Sequence, residues 1–340
     1  MKSCIRVIGV RYRKYMYNKF AEGQFLEGID FPMPAGTCYL VSVDEDVSIR
    51  IGLFESLLSD DQTKGTIVLS HGYAEYMEKY AETVSDFLNL GYRVALVEWR
   101  SHGCSGGRSD IRREVLHFKD FDKNISDLNV VMRGFITQRF PPPYFGVSHS
   151  MGGQISIRTA VLHKGLFDAL ALSAPMIGLQ EHPFQISLLK AVTSINELFG
   201  LGHRPLESAA TDRATGRSSY NRVTMDDSRF ERNERIVDRH PHVNIAFKSH
   251  SWSVGAVNAM QKTLKKSFLS RLNIPVFIGI AEDERLVSNT ATYKAIALSD
   301  YIKGKLYPNT RHELFMETDA SRQAFLEDID NHFMSASSVY

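Results

Sequence analysis

The sequence predicts an α/β protein with a mostly parallel, doubly wound sheet, interrupted by one large helical insertion. Three observations carry that prediction. Short, continuous apolar runs alternate with helical stretches from "GTIVLSHG" onward, as expected of parallel strands buried on both faces. The run "PYFGVS" passes straight into "HSMGG" and a helical stretch, a strand, a tight turn and a helix in immediate succession. Between Pro175 and about Arg271 the alternation lapses, for longer than an unstructured loop in a compact domain can extend.

Taken in order, residues 1–30 are poorly patterned and stand apart as an N-terminal segment. The core then comprises residues 31–175 and 271–340, with a helical cap over 176–270. "CYLVSV" and "VSIRIGLF" alternate apolar and polar residues around "DED", an antiparallel hairpin with one wet face. "GTIVLSHG" and "YRVALVEW" flank the helical stretch "YMEKYAETVSDFLNLG", which ends on Gly91, and so make a βαβ unit. A helix from about Gly152 to His163 follows "PYFGVS"; "FDALALSAP", "IPVFIGIAED" and "KGKLYPN" are further strands, with "TATYKAIALS" as the helix between the last two. Inside the insertion, "FQISLLKAVTSINELFG" places Leu188, Val192, Ile195 and Phe199 on one helical face and stops at Gly200. "DDSRFERNERIVDRHP" is a charged helix up to Pro241, and "SWSVGAVNAMQKTL" a helix of mixed face. The insertion follows the sixth strand, beside the carboxyl ends of the parallel strands where open α/β sheets place their ligands.

Composition narrows the function. With 340 residues, 43% hydrophobic and 23% charged, the chain can bury a large core. Forty basic and 39 acidic residues leave a formal charge of +1, too little to draw the whole protein onto nucleic acid or an anionic membrane. Cys4, Cys38 and Cys104 have no paired spacing, which favours a reduced compartment over a disulfide framework and excludes a cysteine zinc site. No segment reaches the roughly 18 to 20 apolar residues that span a bilayer. The expectation is a soluble cytoplasmic protein without a nucleic-acid partner, its oligomeric state open.

The chemistry centres on Ser150. A nucleophile elbow usually reads Gly-x-Ser-x-Gly; here Ser148 occupies the first glycine position, a small residue for a smaller one, while Gly152 and Gly153 leave room for tight backbone contact after the serine. The competing reading is a buried serine that only caps a helix. A serine hydroxyl needs a base, and His312 in "PNTRHELFME" follows the last strand on the loop before the terminal helix. The base needs an orienting carboxylate, and "GIAEDERLV" offers Glu282, Asp283 and Glu284 after the preceding strand. A triad acid commonly stands three positions before an apolar residue; Val287 points to Glu284, with Asp283 as the alternative. Oxyanion donors are expected from the amide of Met151 and from that of Tyr73, directly after His71 and Gly72. His240, His242 and His250 lack a convincing ligand spacing, so no metal is expected.

These segments carry a resemblance. "LSHGYAEYMEKYAE", "VEWRSHGCSGG", "GVSHSMGG", "LSAPM", "AEDERLVSN" and "RHELFME" stand in the order and spacing of the α/β-hydrolases grouped with bacterial lysophospholipase L2 and monoacylglycerol lipases, over roughly residues 20 to 335. "NRVTMDDSRFERN" and "SWSVGAVNAM" resemble the lysophospholipase L2 branch. The resemblance implies an α/β-hydrolase fold with a cap, and a serine hydrolase using Ser150, His312 and Glu284; relatives often carry aspartate at the acid position, which keeps Asp283 open. It implies hydrolysis of a single-chain lipid ester, most directly a lysophospholipid, without a cofactor. A monoacylglycerol lipase, a general carboxylesterase and a non-catalytic binding module of the same fold are the alternatives. The apolar helix from Phe184 to Phe199 reads first as the cap's own core; otherwise Phe184 and Leu188 would hold the acyl chain or rest on the inner face of a membrane. Arg229, Arg232 and Arg235 would meet a phosphate headgroup or form a solvated helix face.

Overall fold

Among the described residues nine strands join in one sheet, which satisfies the backbone groups of the apolar runs once they are buried. In the computed structural model, which describes residues 20–108, 113–180, 183–206, 221 and 223–337, strands are numbered through the chain. The sheet comprises β1 (Phe20–Glu22), β2 (Thr37–Ser42), β3 (Ser48–Phe54), β4 (Thr66–Ser70), β5 (Arg93–Val97), β7 (Tyr144–His149), β8 (Ala169–Ser173), β11 (Val276–Ala281) and β12 (Ile302–Tyr307). Their spatial order is β1-β2-β3-β5-β4-β7-β8-β11-β12. The pairs β1–β2, β2–β3 and β3–β5 are antiparallel and every later pair is parallel. Every residue of β4, β5 and β8 is buried, whereas β2 alternates toward solvent, which accounts for the continuous and the alternating apolar patterns.

Helices cover both faces of the sheet. On one side lie α1 (Ala81–Asn89) and the terminal helix, which bury Val84 and Phe87, and Phe325, Ile329 and Phe333, against Ile67, Leu69, Leu96 and Val147. On the other side lie α2 (Asp122–Gly134) and α3 (Ser150–Leu162), with Ile125, Leu128, Val131, Ile155 and Ile157 over Val68, Ala95, Leu170 and Leu172. Successive residues of one strand, Val68 and Leu69 in β4, thus feed opposite layers.

Two features depart from the expectations. The segment before residue 30 contributes β1, an edge strand paired in register from Phe20 opposite Val41 to Glu22 opposite Tyr39; residues 1–19, with Cys4, lie outside the described residues. The insertion is also not helical alone. Beside α4 (Pro183–Leu198), α5 (Asp227–Arg239), α6 (His250–Thr263) and the single turn α7 (Lys266–Leu269), it holds β9 (Pro205–Leu206) and β10 (Phe247–Ser249). Strand β10 pairs with β9 and with β6 (Val115–Leu116), which comes from the loop after β5, so the insertion is stitched to the core by a small sheet. Strands of two or three residues carry too little pattern to be read from sequence. The core closes with α8 (Asn289–Ala297) between β11 and β12, and α9 (Asp319–Ser337) as the terminal helix.

The apolar face of α4 is not the cap's core. Phe184 is 71% exposed, Leu188 54%, Ile195 57% and Phe199 70%, while the opposite side, with Thr193 buried, turns inward toward α6. A helix on the outside of a layer buries only one side, and here that side is the less apolar one.

Candidate active site

The turn from β7 into α3 is strained where a nucleophile elbow should be. Ser150 has φ +47°, a left-handed conformation rare outside glycine. The two glycines after it are required by space rather than by their own dihedrals: a Cβ at Gly152 would sit 2.6 Å from the carbonyl oxygen of His71, and one at Gly153 2.8 Å from Cβ of Pro175. Ser148, the odd residue of the motif, is fully buried and hydrogen-bonded on both sides, 2.9 Å from Ser70 Oγ and 2.7 Å from Ser156 Oγ. Its hydroxyl ties β7 to β4 and to α3, a role that a glycine could not fill.

His312, on the loop after β12, reaches Ser150 Oγ with Nε2 at 2.9 Å and Glu284 Oε2 with Nδ1 at 2.8 Å. An ionised carboxylate only accepts, so Nδ1 carries the proton and Nε2 is left to accept from the serine hydroxyl. Glu284 sits in the turn after β11, where its Oε1 accepts from the N–H of Leu286 at 2.8 Å and of Val287 at 3.2 Å. Burial works to raise its pKa, but the hydrogen bond and charge of His312, with the two amides, outweigh that and hold it below the ordinary 4.5. Val287 is buried behind the turn, as the three-residue spacing requires. Asp283 points elsewhere: Arg285 and Arg311 pair with it near the surface, and hydrogen bonding to Arg285 holds its pKa low. The structure therefore brings together Ser150, His312 and Glu284, each less than one-tenth exposed, and leaves Asp283 outside the run.

The loop after β4 lies alongside. Gly72 and Tyr73 follow His71, whose Nε2 accepts from the Trp99 amide at 3.1 Å while its carbonyl accepts from the Trp99 indole at 2.9 Å. Glu75 accepts from the N–H of Gly72, and Tyr73 packs against Trp252 of α6 with ring centroids 4.7 Å apart. His149, beside the nucleophile, lies edge-on to His312 at 4.7 Å, and burial pushes its pKa down to about 3, so it is neutral.

Sequence reasoning did not reach a buried cluster of two glutamates and a histidine beneath this loop. Glu75, His149 and Glu313 each bring one ligand atom within 4.8 Å of the others. The cation among them belongs to the chain: Lys79 Nζ lies 2.6 Å from Glu75 Oε1 and 2.7 Å from Glu313 Oε1. The available signals were the Glu75–Lys79 spacing of four residues and the position of Glu313 next to the base.

The four residues expected to contact substrate are displaced from that role in different ways. Phe184 and Leu188 lie on the exposed face of α4. Arg229 is buried and fully engaged: Glu82 accepts from it at 2.6 and 3.0 Å, Asp226 and Asp319 at 2.6 Å each, and the Glu317 carbonyl at 2.9 Å. Arg232 donates to the same Glu82 at 2.7 Å, and Arg235 pairs with Asp30. For Arg229 and Arg232 neither the headgroup nor the solvated-face reading describes the arrangement, whereas Arg235 stays on an exposed face of the helix. Arg229 and Arg232 fasten α5 of the insertion to α1 of the core, because Glu82 stands opposite both of them and Asp319 opposite Arg229.

The chain is similar over most of its length to known lipid esterases. It is 25% identical over 292 residues to a probable lysophospholipase L2 of Haemophilus influenzae, covering 86% of this chain and 90% of that protein. To a monoacylglycerol lipase of Mycolicibacterium smegmatis it is 24% identical over 298 residues, covering 84% and 94%. In fold it is similar to a soluble variant of the Saccharomyces cerevisiae monoglyceride lipase in complex with a substrate analogue, with a TM-score of 0.70 and 18% identity over 92% of this chain and 99% of that one. The family described as "Serine aminopeptidase, S33" matches residues 61–319, from the turn before β4 through the whole insertion to the start of α9. The chain belongs to that family and is an α/β-hydrolase of the serine-hydrolase class.

Proposed function

We infer that the protein hydrolyses the carboxylic ester of a single-chain lipid, a lysophospholipid before other substrates, through an acyl-enzyme on Ser150. The observation that carries this reading is the unbroken hydrogen-bonded run from Glu284 through His312 to Ser150 at a strained elbow. Ser150 Oγ attacks the ester carbonyl carbon as its proton passes to His312 Nε2, and Glu284 stabilises the imidazolium that forms. The N–H groups of Met151 and Tyr73 receive the oxyanion, each worth on the order of 100- to 1000-fold in rate. Collapse breaks the bond to the glycerol oxygen, which takes the proton from His312. Water then attacks the acyl-enzyme with His312 as base, releasing the fatty acid and the free serine. Among the described residues no helix is long and apolar enough to cross a membrane.

The similarity to lysophospholipase L2 supports the headgroup assignment. A second reading, monoacylglycerol hydrolysis, gains from the ion pairing of Arg229 and Arg232, which removes the cations expected to hold a phosphate. Initial rates on lysophosphatidylcholine, lysophosphatidylethanolamine, a monoacylglycerol and a short p-nitrophenyl ester separate the two. The lysophospholipids are expected to give the highest kcat/KM, and no turnover of either one overturns the headgroup assignment while leaving the esterase intact.

The exposed face of α4 is assigned to the surface of the lipid aggregate that presents such substrates. Phe184, Leu188, Val192, Ile195 and Phe199 recur at three- and four-residue intervals and make one apolar stripe. Leu188→Glu with Ile195→Glu is expected to abolish flotation with phosphatidylcholine and phosphatidylglycerol vesicles, and to leave hydrolysis of a soluble p-nitrophenyl ester unchanged. Undiminished flotation would exclude α4 as the lipid contact.

A further inference from the structure

A largely buried lysine and two buried glutamates lie between the two loops that the reaction depends on, and no chemical step uses them. Glu75 belongs to the loop that ends β4. Its Oε2 accepts from the N–H of Gly72, the residue before Tyr73, and from Tyr80 Oη at 2.7 Å; its Oε1 accepts from Lys79 Nζ at 2.6 Å. The same ammonium donates to Glu313 Oε1 at 2.7 Å, and Glu313 is the residue after His312. A single ammonium thus links the loop offering the Tyr73 amide to the loop carrying the base.

The fit is close. A Cβ on Gly72 would lie 2.9 Å from Glu75 Oε2 and 2.9 Å from Cδ2 of His149, so the Glu75 carboxylate and the His149 ring set where this backbone runs. Ala74, between them, has φ +59°, a conformation that a non-glycine residue keeps only when its surroundings hold it there. The Glu313 N–H donates to the carbonyl of Val223 at 2.7 Å, so the insertion holds the far end of the same chain of contacts.

Stability alone does not explain the arrangement. Removing three ionised side chains from water costs more than apolar packing of the same volume, so a buried ionic cluster is a poor way to gain stability and an effective way to impose a geometry. The cost shows in its members. Burial works against the charge on Glu75, but Lys79 overcomes it and lowers the Glu75 pKa; at Glu313 burial prevails and the pKa is raised.

We propose that Lys79, bridging Glu75 and Glu313, is a positioning clamp that sets the oxyanion amide of Tyr73 and the base His312 in register with each other. The inference rests on the assignment of Ser150 and His312 as nucleophile and base. It adds a requirement that the triad does not contain, since the donor and the base are on separate loops and the tetrahedral intermediate needs both at once. The ammonium acts by holding oxygens in place, so the hydrogen bonds matter more than the net charge.

Three variants test the clamp: Lys79→Met, Glu313→Ala and Glu313→Gln. The glutamine keeps an oxygen that accepts from Lys79 Nζ, and the alanine does not. Lys79→Met and Glu313→Ala are expected to lower kcat on a p-nitrophenyl ester about 10- to 100-fold with KM within about threefold, the signature of a misplaced catalytic group. Affinity for a trifluoromethyl ketone that forms a tetrahedral adduct should fall in parallel. Glu313→Gln should restore kcat to within about threefold of the wild type. Glu313→Ala leaves the Glu75–Lys79 pair intact, so it serves if Lys79→Met fails to fold. A folded Glu313→Ala that keeps wild-type kcat and adduct affinity, or a Glu313→Gln no better than the alanine, overturns the clamp. Fluorophosphonate labelling of wild-type Ser150 in the same preparation separates the two failures: its presence with unchanged variants sinks the clamp alone, and its absence sinks the serine assignment and the clamp with it.

Discussion

Ser150→Ala and His312→Ala should each abolish labelling by a fluorophosphonate probe and lower kcat/KM on a p-nitrophenyl ester by roughly 10⁵- to 10⁶-fold. The two losses should be nearly equal and should not add in the double variant, because serine and base act as one unit and either alone is inert. Both side chains are small or peripheral enough to the core that the variants should stay folded. Ser150 stands at the sheet's carboxyl edge and His312 on a loop, so neither belongs to the two apolar layers. Circular dichroism checks this, and labelling that persists in Ser150→Ala would place the nucleophile elsewhere. Absence of labelling in the wild type would favour a non-catalytic binding module of this fold.

The second large effect separates two adjacent carboxylates. Glu284→Gln is expected to lower kcat about 10⁴-fold, since a neutral amide neither holds His312 with its proton on Nδ1 nor stabilises the imidazolium. Asp283→Asn should leave kcat/KM within about threefold, as the loss of a largely exposed ion pair with Arg285 and Arg311 costs little. The reverse outcome would return the acid to Asp283. The pH dependence follows from the direction of the Glu284 shift. Folding holds this carboxyl below its ordinary 4.5, so its favourable pairing is complete above that pH and is lost as the pH falls through the lowered value. The neutral range leaves the acid ionised throughout.

Much of the sheet was legible because a parallel strand covered on both faces must be apolar along its whole length, and few other elements are. The eight strands read from the core all recur, from the hairpin of β2 and β3 to β12. The edge strand β1 and the two- and three-residue strands of the small sheet were not legible, since their pairing depends on partners far away in the chain rather than on their own pattern. Glu284 was favoured over Asp283 because a turn seating an apolar Val287 has a fixed length, a local constraint that sequence records. The arginines of α5 show the opposite case. Periodicity placed Arg229, Arg232 and Arg235 on a helix, but only the fold put Glu82 opposite the first two and Asp319 opposite Arg229, and turned part of a candidate anion site into a fastening between cap and core.

Local rules were enough for the strand-turn-helix at Ser150, the two glycines that let its backbone pass His71 and Pro175, and the order of serine, acid and base along the chain. These depend on neighbours in sequence or on backbone space, and a residue type reports them directly. Tertiary structure decided the outward turn of the α4 stripe, the hydroxyl chain through Ser148, and the meeting of Glu75, Lys79 and Glu313 beneath two loops more than two hundred residues apart. A charge or an apolar face does not carry the identity of its partner. That is set only when the sheet brings the ends of β4 and β12 to the same edge.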